Sequence, residues 1–209
     1  MKREHEIDNT LPSDYIPLEY IQNTGTQYIG TDMAFNWDND LDIYAVVAKA
    51  DSYNRGEILG AFTGQYVKEL NLEFTADNKF RLWINNGGVD KRSTKSVKLN
   101  ELFDLTFSYT ASTGLVVLKG LASDNTIETV SATYRQSGTS PKNNIFTDSR
   151  TTSSMPFKNV RIAELHIRNG NAEYNFVAAL RTSDNKPGLY DLSNDRFYTN
   201  SGTGEFLYK

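Results

Sequence analysis

The side chains around Trp83 are the residues of this chain best suited to bind a sugar. Residues 80–85 alternate between apolar side chains and the set Arg81, Trp83 and Asn85. This period of two predicts a strand with those three residues on the face opposite the core. An exposed indole stacks on a sugar ring, and guanidinium and amide groups bind its hydroxyls. A packing interpretation stays open, in which a loop or a neighbouring subunit covers this face and Trp83 lies against the Arg81 stem.

A second candidate binding site draws on the loops that precede the central strands. Trp37, Tyr53, Arg55 and Tyr66 fall in segments that we predict to be loops. They combine aromatic rings with one hydrogen-bonding cation, and functional residues are concentrated on loops. We therefore predict that these four residues form a weaker site for the same class of ligand.

Glu69 and Glu73 are the best candidates for paired catalytic carboxylates. A retaining glycosidase needs two carboxyl groups about 5–5.5 Å apart, which one strand supplies as acidic residues on a single face. Position 71, on the same face, is Asn, and no third carboxylate follows on that strand. A solvent-facing strand carries charged residues without any catalytic role. We therefore expect the protein not to be an enzyme.

Metal and histidine chemistry have few candidate residues. The chain has no Cys, which excludes disulfides and Cys-ligated zinc, and its two His are His5 and His166. His166 alternates with Glu164 and Arg168 and is interpreted as a surface histidine beside charged neighbours. Calcium is the cofactor left open, because carboxylate oxygens suit it. Its candidate ligands are Asp32, Asp38 and Asp40, although the same composition is typical of turns.

The elements that position these residues are predicted to be strands. Tyr and Phe, with 12 and 11 copies, fit a pleated and half-buried surface. The segments of strand length, separated by turn signals, are 15–21, 26–31, 41–48, 57–62, 70–74, 80–84, 103–109, 115–119, 126–134, 160–167, 174–180, 188–192 and 196–199. They predict an all-β, two-sheet antiparallel β-sandwich of the jelly-roll type over residues 12–209, preceded by a flexible arm at 1–11.

Two details of this pattern are specific enough to test. The apolar alternation changes phase between Ile162 and Ala163, which predicts a β-bulge. Residues 135–154 are rich in Ser, Thr, Asn, Gly and Pro and predict a long loop.

Charge and hydropathy narrow the range of partners. The formal net charge is -4, and the basic run at 90–98 is short and typical of a solvated hairpin. Nucleic acid is therefore not expected as a partner. No apolar segment is long enough for a signal peptide or a membrane span, so we expect no membrane insertion.

Both ends of the chain resemble one known family. Residues 11–29 (LPSDYIPLEYIQNTGTQYI) and 188–206 (GLYDLSNDRFYTNSGTGEF) are similar to the opening and closing motifs of concanavalin A-like (LamG-like) lectin/glucanase-fold modules of tailed bacteriophages and prophages. The resemblance spans nearly the whole chain. It implies a jelly roll in which the first and last strands pair, with Tyr20, Tyr28, Tyr190 and Tyr198 as packing residues.

The resemblance also implies a function. It points to a non-enzymatic virion surface protein, such as a capsid decoration, head-fibre or adhesin module, with glycan binding on a host or mucosal surface. Other virion proteins and further copies of this chain are the expected partners. The expected location is the virion, after synthesis in the host cytoplasm without a signal peptide. The alternatives are a free carbohydrate-binding module and a glycoside hydrolase of the same fold.

Overall fold

The computed structural model describes residues 10–61, 68–85, 88–147 and 158–209. The strands within them are β1 (Tyr15–Pro17), β2 (Ile21–Gln22), β3 (Ile29–Asn36), β4 (Leu41–Lys49), β5 (Gly56–Gly60), β6 (Leu70–Phe74), β7 (Phe80–Ile84), β8 (Val89–Arg92), β9 (Phe103–Thr110), β10 (Leu115–Leu121), β11 (Ile127–Thr133), β12 (Thr139–Ile145), β13 (Val160–Asn169), β14 (Ala172–Arg181), β15 (Lys186–Asp191), β16 (Arg196–Thr199) and β17 (Leu207–Tyr208).

The strands form two antiparallel sheets. The larger has eleven strands, with the central order β11-β10-β9-β4-β13-β14-β15-β16, and β1, β2 and β17 attached to it. The smaller has six strands in the order β3-β12-β5-β6-β7-β8. The prediction of an all-β, two-sheet antiparallel sandwich is confirmed.

One apolar core fills the space between the sheets. The smaller sheet contributes alternate residues such as Leu72, Phe74 and Phe80, and the larger contributes residues such as Leu165 and Phe176. Each of these side chains is almost fully excluded from solvent. Burial of such a side chain stabilises the fold by about 1.5–3 kcal/mol, so the core fixes which face of each strand points outward.

The predicted phase change in β13 is a β-bulge. Ile162 pairs with Val47 and Glu164 with Val46, so Ala163 is the extra residue between them. The bulge lets Ile162 and Leu165 both enter the core, and both are fully buried. The prediction made from the alternation is therefore confirmed.

The prediction of a loop over residues 135–154 is wrong for its middle part. Residues 139–145 form β12, which lies between β3 and β5. The strand is irregular, with register shifts on both sides of Lys142. Asn143 is fully buried and donates to the carbonyls of Met33 and Pro141 and to the Ser140 hydroxyl. Tertiary hydrogen bonds thus hold a segment whose composition disfavours strands.

The opening and closing motifs meet along a line that we call the terminal seam, formed by residues 19–30 and 200–209. The last strand, β17, pairs with β2, whereas the first strand, β1, pairs with β14, so the implied pairing of first and last strands holds only for the second strand. Thr26 Oγ1 donates to the carbonyl of Thr203 at 2.8 Å, and the amides of Tyr28 and Gly30 donate to side chains of residues 200 and 201.

The tyrosines of these motifs pack as expected. Tyr190 and Tyr198 are buried, and Tyr28 packs against the core. Tyr20 is half-buried and lies under the Arg161 guanidinium, 4.6 Å from ring centroid to Cζ.

Leu11 and Tyr15 pack on the outer face of the larger sheet, against a small cluster of Val177, Ala179 and Tyr190. Residues 1–9 of the predicted arm lie outside the described residues. In the described part of the chain, no helix has the length and apolar character needed to cross a membrane.

Candidate functional site

A row of directly paired residues crosses the outer face of the six-stranded sheet. In order across the strands it consists of Gly30, Asn144, Gly60, Asn71, Trp83 and Asp90, and we call it the central row. Neighbouring strands lie about 4.8 Å apart, so the row is roughly 24 Å long. Its two glycines carry no side chain, and its one large side chain is Trp83.

A second row on four of these strands is charged, and it lies two residues along β6, β7 and β8 from the central row and three along β5 because of a register shift there. Glu57, Glu73, Arg81 and Arg92 pair across β5, β6, β7 and β8, and we call them the charged row. Glu57 lies directly opposite Glu73, an arrangement that is unfavourable for two like charges. Glu73 is stabilised by the guanidinium groups of Arg55 and Arg81.

Arg81 is held between two carboxylates. Its Nη1 donates to Glu73 Oε1 at 2.7 Å, and its Nε and Nη2 donate to the two oxygens of Asp90 at 2.7 and 2.8 Å. Burial alone would lower the pKa of Arg81, but the hydrogen bonds to Asp90 and Glu73 outweigh it and raise that pKa. The predicted sugar-binding role of Arg81 is thus limited, because three of its five N–H donors bind carboxylates of the protein.

The outer face of β6 is buried, which overturns the expectation that it faces water. Glu69, Asn71 and Glu73 are each at most 3% exposed, as is Glu57 on the neighbouring strand. The guanidinium groups over Glu73 account for part of this burial. Polar groups placed this deep are costly unless each is bound by a partner.

Asn71 lacks that partner. Its Nδ2 and Oδ1 are both buried, and neither makes a hydrogen bond within the described structure. Its neighbour across the strands, Trp83, is half-buried, and the Trp83 indole N–H makes no hydrogen bond to the described residues. A buried amide and a half-buried indole N–H thus lie side by side, and neither makes a hydrogen bond to the described residues.

Asn85, the third residue predicted around Trp83, holds the end of β7 in place. Its Oδ1 accepts from the Glu69 amide at 2.8 Å, and its Nδ2 donates to Tyr134 Oη and Gln136 Oε1. Its φ of 47° is one that Asn tolerates better than most residues. The hydrogen bonds of Asn85 are therefore used to shape the strand end.

The four loop residues of the second predicted site are not brought together. Trp37 is buried, donates from Nε1 to the Lys68 carbonyl at 3.1 Å and packs edge-on against Tyr109. Tyr53 is 86% exposed, and Arg55 reaches Glu73 at the opposite end of β6. Tyr66 lies outside the described residues.

The three candidate calcium ligands fall in two places. Asp32 lies on the outer face of β3, where Lys142 donates to it at 2.6 Å and holds the pKa of its carboxyl below the usual value. Asp38 and Asp40 line a cleft of about 560 Å³ at one end of the sandwich, and they accept from the amides of Gly138 and Ala111. In residues 10–61, 68–85, 88–147 and 158–209, no group of three or more acidic, His or Cys side chains is suited to hold a metal ion.

His166 lies on the outer face of the larger sheet, away from the central row. Its Nε2 is 3.3 Å from Glu164 Oε2, as its interpretation as a histidine beside charged neighbours predicted, and its ring packs against Tyr44. Arg168 pairs with Asp42 instead. His5 lies outside the described residues.

Sequence reasoning missed Asn71, Glu57 and Gly60 as residues of this site. In the sequence, Asn71 was considered only as an interruption of a carboxylate pattern. Asn71 alternates with the apolar residues Leu70 and Leu72, so it lies on the outer face of its strand, as Trp83 does on the next strand of the hairpin. Glu57 carried no such signal, because its place opposite Glu73 depends on the bulge between Glu57 and Leu59 in β5.

Comparisons with known proteins identify the fold. No family model matches the chain, and no curated protein matches it in sequence. A Bacteroides ovatus protein named as a candidate carbohydrate-binding protein superposes on 93% of this chain with a TM-score of 0.60 and 12% identity. Domains LG4-5 of the mouse laminin alpha1 chain superpose on 77% with a TM-score of 0.55 and 16% identity.

The third comparison is the enzymatically active domain of tailspike protein 2 from bacteriophage CBA120. It superposes on 81% of this chain with a TM-score of 0.50 and 9% identity. The chain spans 60%, 42% and 30% of the lengths of these three proteins, less than two thirds of each. Likeness at such low identity is a statement about architecture. The chain has the concanavalin A-like lectin/glucanase fold.

Proposed function

We propose that this protein is a non-enzymatic glycan-binding module whose site is the central row. The observation that carries the proposal is the buried Asn71 amide beside the indole N–H of Trp83, neither of which makes a hydrogen bond to the described residues. A buried amide without hydrogen bonds costs about 1–3 kcal/mol, and a hydrogen bond from a ligand would remove that cost.

The geometry of the row suits a sugar chain. Trp83 offers an apolar ring for stacking, and Asn71 beside it offers a donor and an acceptor for neighbouring hydroxyls. Gly60 on the other side of Asn71 leaves that position without a side chain. Asp90, the next residue of the row beyond Trp83, is exposed and fixed by Arg81. Arg81 thus shapes the site by positioning Asp90.

A glycan array followed by calorimetry tests this proposal. We expect Trp83→Ala to weaken binding of the glycan found by about tenfold or more, as is typical of a central aromatic contact. Tyr44→Ala is a matched control, since Tyr44 is a half-buried aromatic residue on the outer face of the other sheet. Absence of binding to any glycan, or equal losses in both variants, would overturn the proposal.

Glycoside hydrolysis is a second candidate, favoured by one observation. Glu57, Glu69 and Glu73 are all buried on the outer face of the smaller sheet, which gives three carboxylates where the sequence suggested two. Against it, both oxygens of Glu73 are bound by guanidinium groups and are not available to donate a proton or attack a sugar. Release of sugar from a broad polysaccharide panel, lost in Glu73→Gln, would replace the binding proposal with this one.

The wider role that we propose is a virion surface protein, made in the cytoplasm of a host cell and assembled as a homo-oligomer with other virion proteins. Its support is the resemblance of residues 11–29 and 188–206 to phage modules. Purified particles should contain the chain, and negative-stain images should change when its gene is deleted. Particles that lack the chain would refute this role and would leave the proposal of a glycan site unaffected.

A further inference from the structure

We infer that strand β11 is the edge along which two copies of this chain pair about a two-fold axis. β11 lies at one end of the larger sheet and has a neighbouring strand, β10, on one side only. The inference goes beyond the glycan site, which lies on the smaller sheet, and it names a contact for the homo-oligomer proposed above. It depends on the backbone groups that β11 leaves unpaired and on the side chains beside them.

Alternate residues of β11 direct their backbone groups away from the sheet. The Tyr134 amide donates to the Gly114 carbonyl at 2.7 Å, just beyond the end of β11. Hydrogen-bonded and non-hydrogen-bonded pairs alternate along an antiparallel ladder, so the even-numbered residues of β11 bond to β10 and the odd-numbered ones do not. The odd-numbered residues, whose N–H and C=O groups make no hydrogen bond to the described residues, form what we call the free edge: Ile127, Thr129, Ser131 and Thr133.

The other outer edges of the two sheets are blocked or short. In β8, three of the four residues are charged, and in β3 a side chain covers a backbone amide where Ser201 binds Gly30. β1, β16 and β17 have only two to four residues each. Charged residues, covered backbone groups and short length keep sheet edges from pairing with other chains. β11 has seven residues, and it contains no Pro, Gly, Lys or Arg.

The free edge is complementary to a second copy of itself. A two-fold axis at Val130 places Ile127 of one copy opposite Thr133 of the other. Thr129 then lies opposite Ser131, and the four resulting pairs form about eight hydrogen bonds, two for each pair. Thr and Ser side chains are favourable partners across antiparallel strands. Ile127, which is 70% exposed in one copy, gains a neighbouring strand.

The charges along β11 favour this antiparallel arrangement. Glu128, the one charged residue of the strand, falls opposite the uncharged Ala132 of the second copy. Glu128 and Asp124 share the positive charge of Lys95, so this end of the strand is net negative. Arg135, at the other end, is exposed and donates to a backbone carbonyl. Antiparallel pairing brings Arg135 of each copy toward the negative end of the other, whereas parallel pairing would bring like ends together.

Sedimentation equilibrium and hydrogen exchange on the full chain test the inference. Between about 1 and 200 µM, the mass should rise from 23.6 kDa toward twice that value. Exchange at the Thr129 and Ser131 amides should slow at least about tenfold over the same range, and exchange at the Val130 amide, which bonds to β10, should change less. A chain that stays at 23.6 kDa throughout, or whose outward amides exchange equally fast in the dimer, would overturn the inference and leave the glycan site unaffected.

Paired charge variants at exposed residues test the register. Thr129→Glu with Ser131→Glu places like charges opposite each other and should weaken self-association at least about tenfold. Thr129→Glu with Ser131→Lys places opposite charges there and should associate within about threefold of the unaltered chain. Asn171→Glu with Ser183→Glu, at exposed turn residues, is the control with the same change of charge as the first variant and should have no effect. Equal association of the two β11 variants, or an equal loss in the control, would overturn the inference.

Discussion

The terminal seam and the central row are both lines of polar residues on the sandwich. They differ in whether their buried polar groups have hydrogen-bond partners within the protein. In the seam, side chains and backbone of the two chain ends bind one another, as in the bond from Ser201 N to the Tyr28 carbonyl at 2.8 Å. In the central row, the Asn71 amide is buried without a partner in the described structure. The described contacts of the seam thus stabilise the fold, whereas the unsatisfied Asn71 amide is the feature on which the proposed glycan site depends.

Hydrogen bonds in the seam, and in the turn that precedes it, account for the residue types in both terminal motifs. Asp191 is fully buried and accepts from the amides of Asn175 and Ser193 and from Asn194 Nδ2, which fixes the turn between β15 and β16. Asn200 and Ser201 then bind the backbone of β3 and the segment before it. Residue identity in these motifs follows from fold geometry, so the motifs carry little information about a ligand.

The largest effect is expected where the seam is tightest. A Cβ on Gly202 would lie 1.9 Å from the Thr26 carbonyl oxygen, which is backbone and cannot move aside cheaply. Gly202→Ala should therefore lower the free energy of unfolding by about 3 kcal/mol or more, measured by urea denaturation. Gly30→Ala is the control, since its nearest atom is the Ser201 hydroxyl at 3.3 Å. Similar small losses in both variants would mean that the seam is loosely packed.

A matched pair of asparagine variants tests the comparison directly. Asn23 is fully buried in the seam, and its Oδ1 accepts from the Val160 amide at 3.0 Å. Asn23→Leu should cost about 2 kcal/mol, because it leaves that amide unpaired. Asn71→Leu removes two atoms that already lack partners, so stability should stay within about 1 kcal/mol of the unaltered chain or rise.

The effects of the two variants on glycan binding should be the reverse of their effects on stability. Asn71→Leu should lose binding, while Asn23→Leu should bind normally at temperatures where it is folded. Calorimetry and urea denaturation on the same preparations measure both properties. Equal destabilisation by the two variants would contradict the contrast drawn between the two regions.

Local patterns were enough to predict the sandwich. Alternation in 80–84 and 103–109 identified faces that the structure confirms, and the phase change at Ile162 located a real bulge. These signals are local because every second side chain of a strand must enter the core. β12 escaped prediction because its strand conformation depends on partners in β3 and β5, more than 80 residues away in sequence for Ile145 and Leu59.

The candidate site was predictable only in part, for the same reason. Trp83 was identified because one strand shows which way it points. The partners that occupy Arg81 and Asn85 come from other strands or loops, and so does the direct pairing of Trp83 with Asn71. Burial of Glu69 and Glu73 could not be predicted, since alternation specifies a face and says nothing of what covers it.

The smallest effect is expected at the exposed end of the central row. The hydrogen bonds from Arg81 hold the pKa of Asp90 below its usual value of 3.8, although partial burial opposes them. Because the folded pKa is depressed, this carboxylate stabilises the fold above about pH 4, and the contribution is lost as the pH falls through the folded pKa. Asp90→Asn should cost about 0.5 kcal/mol or less at pH 7, since solvent screens a side chain that is 38% exposed. Urea denaturation at pH 7, 5 and 3 should show the difference in stability between the two proteins becoming smaller as the pH falls below about 4. A loss at pH 7 as large as that of Asn23→Leu would mean that the row stabilises the fold as strongly as the seam does.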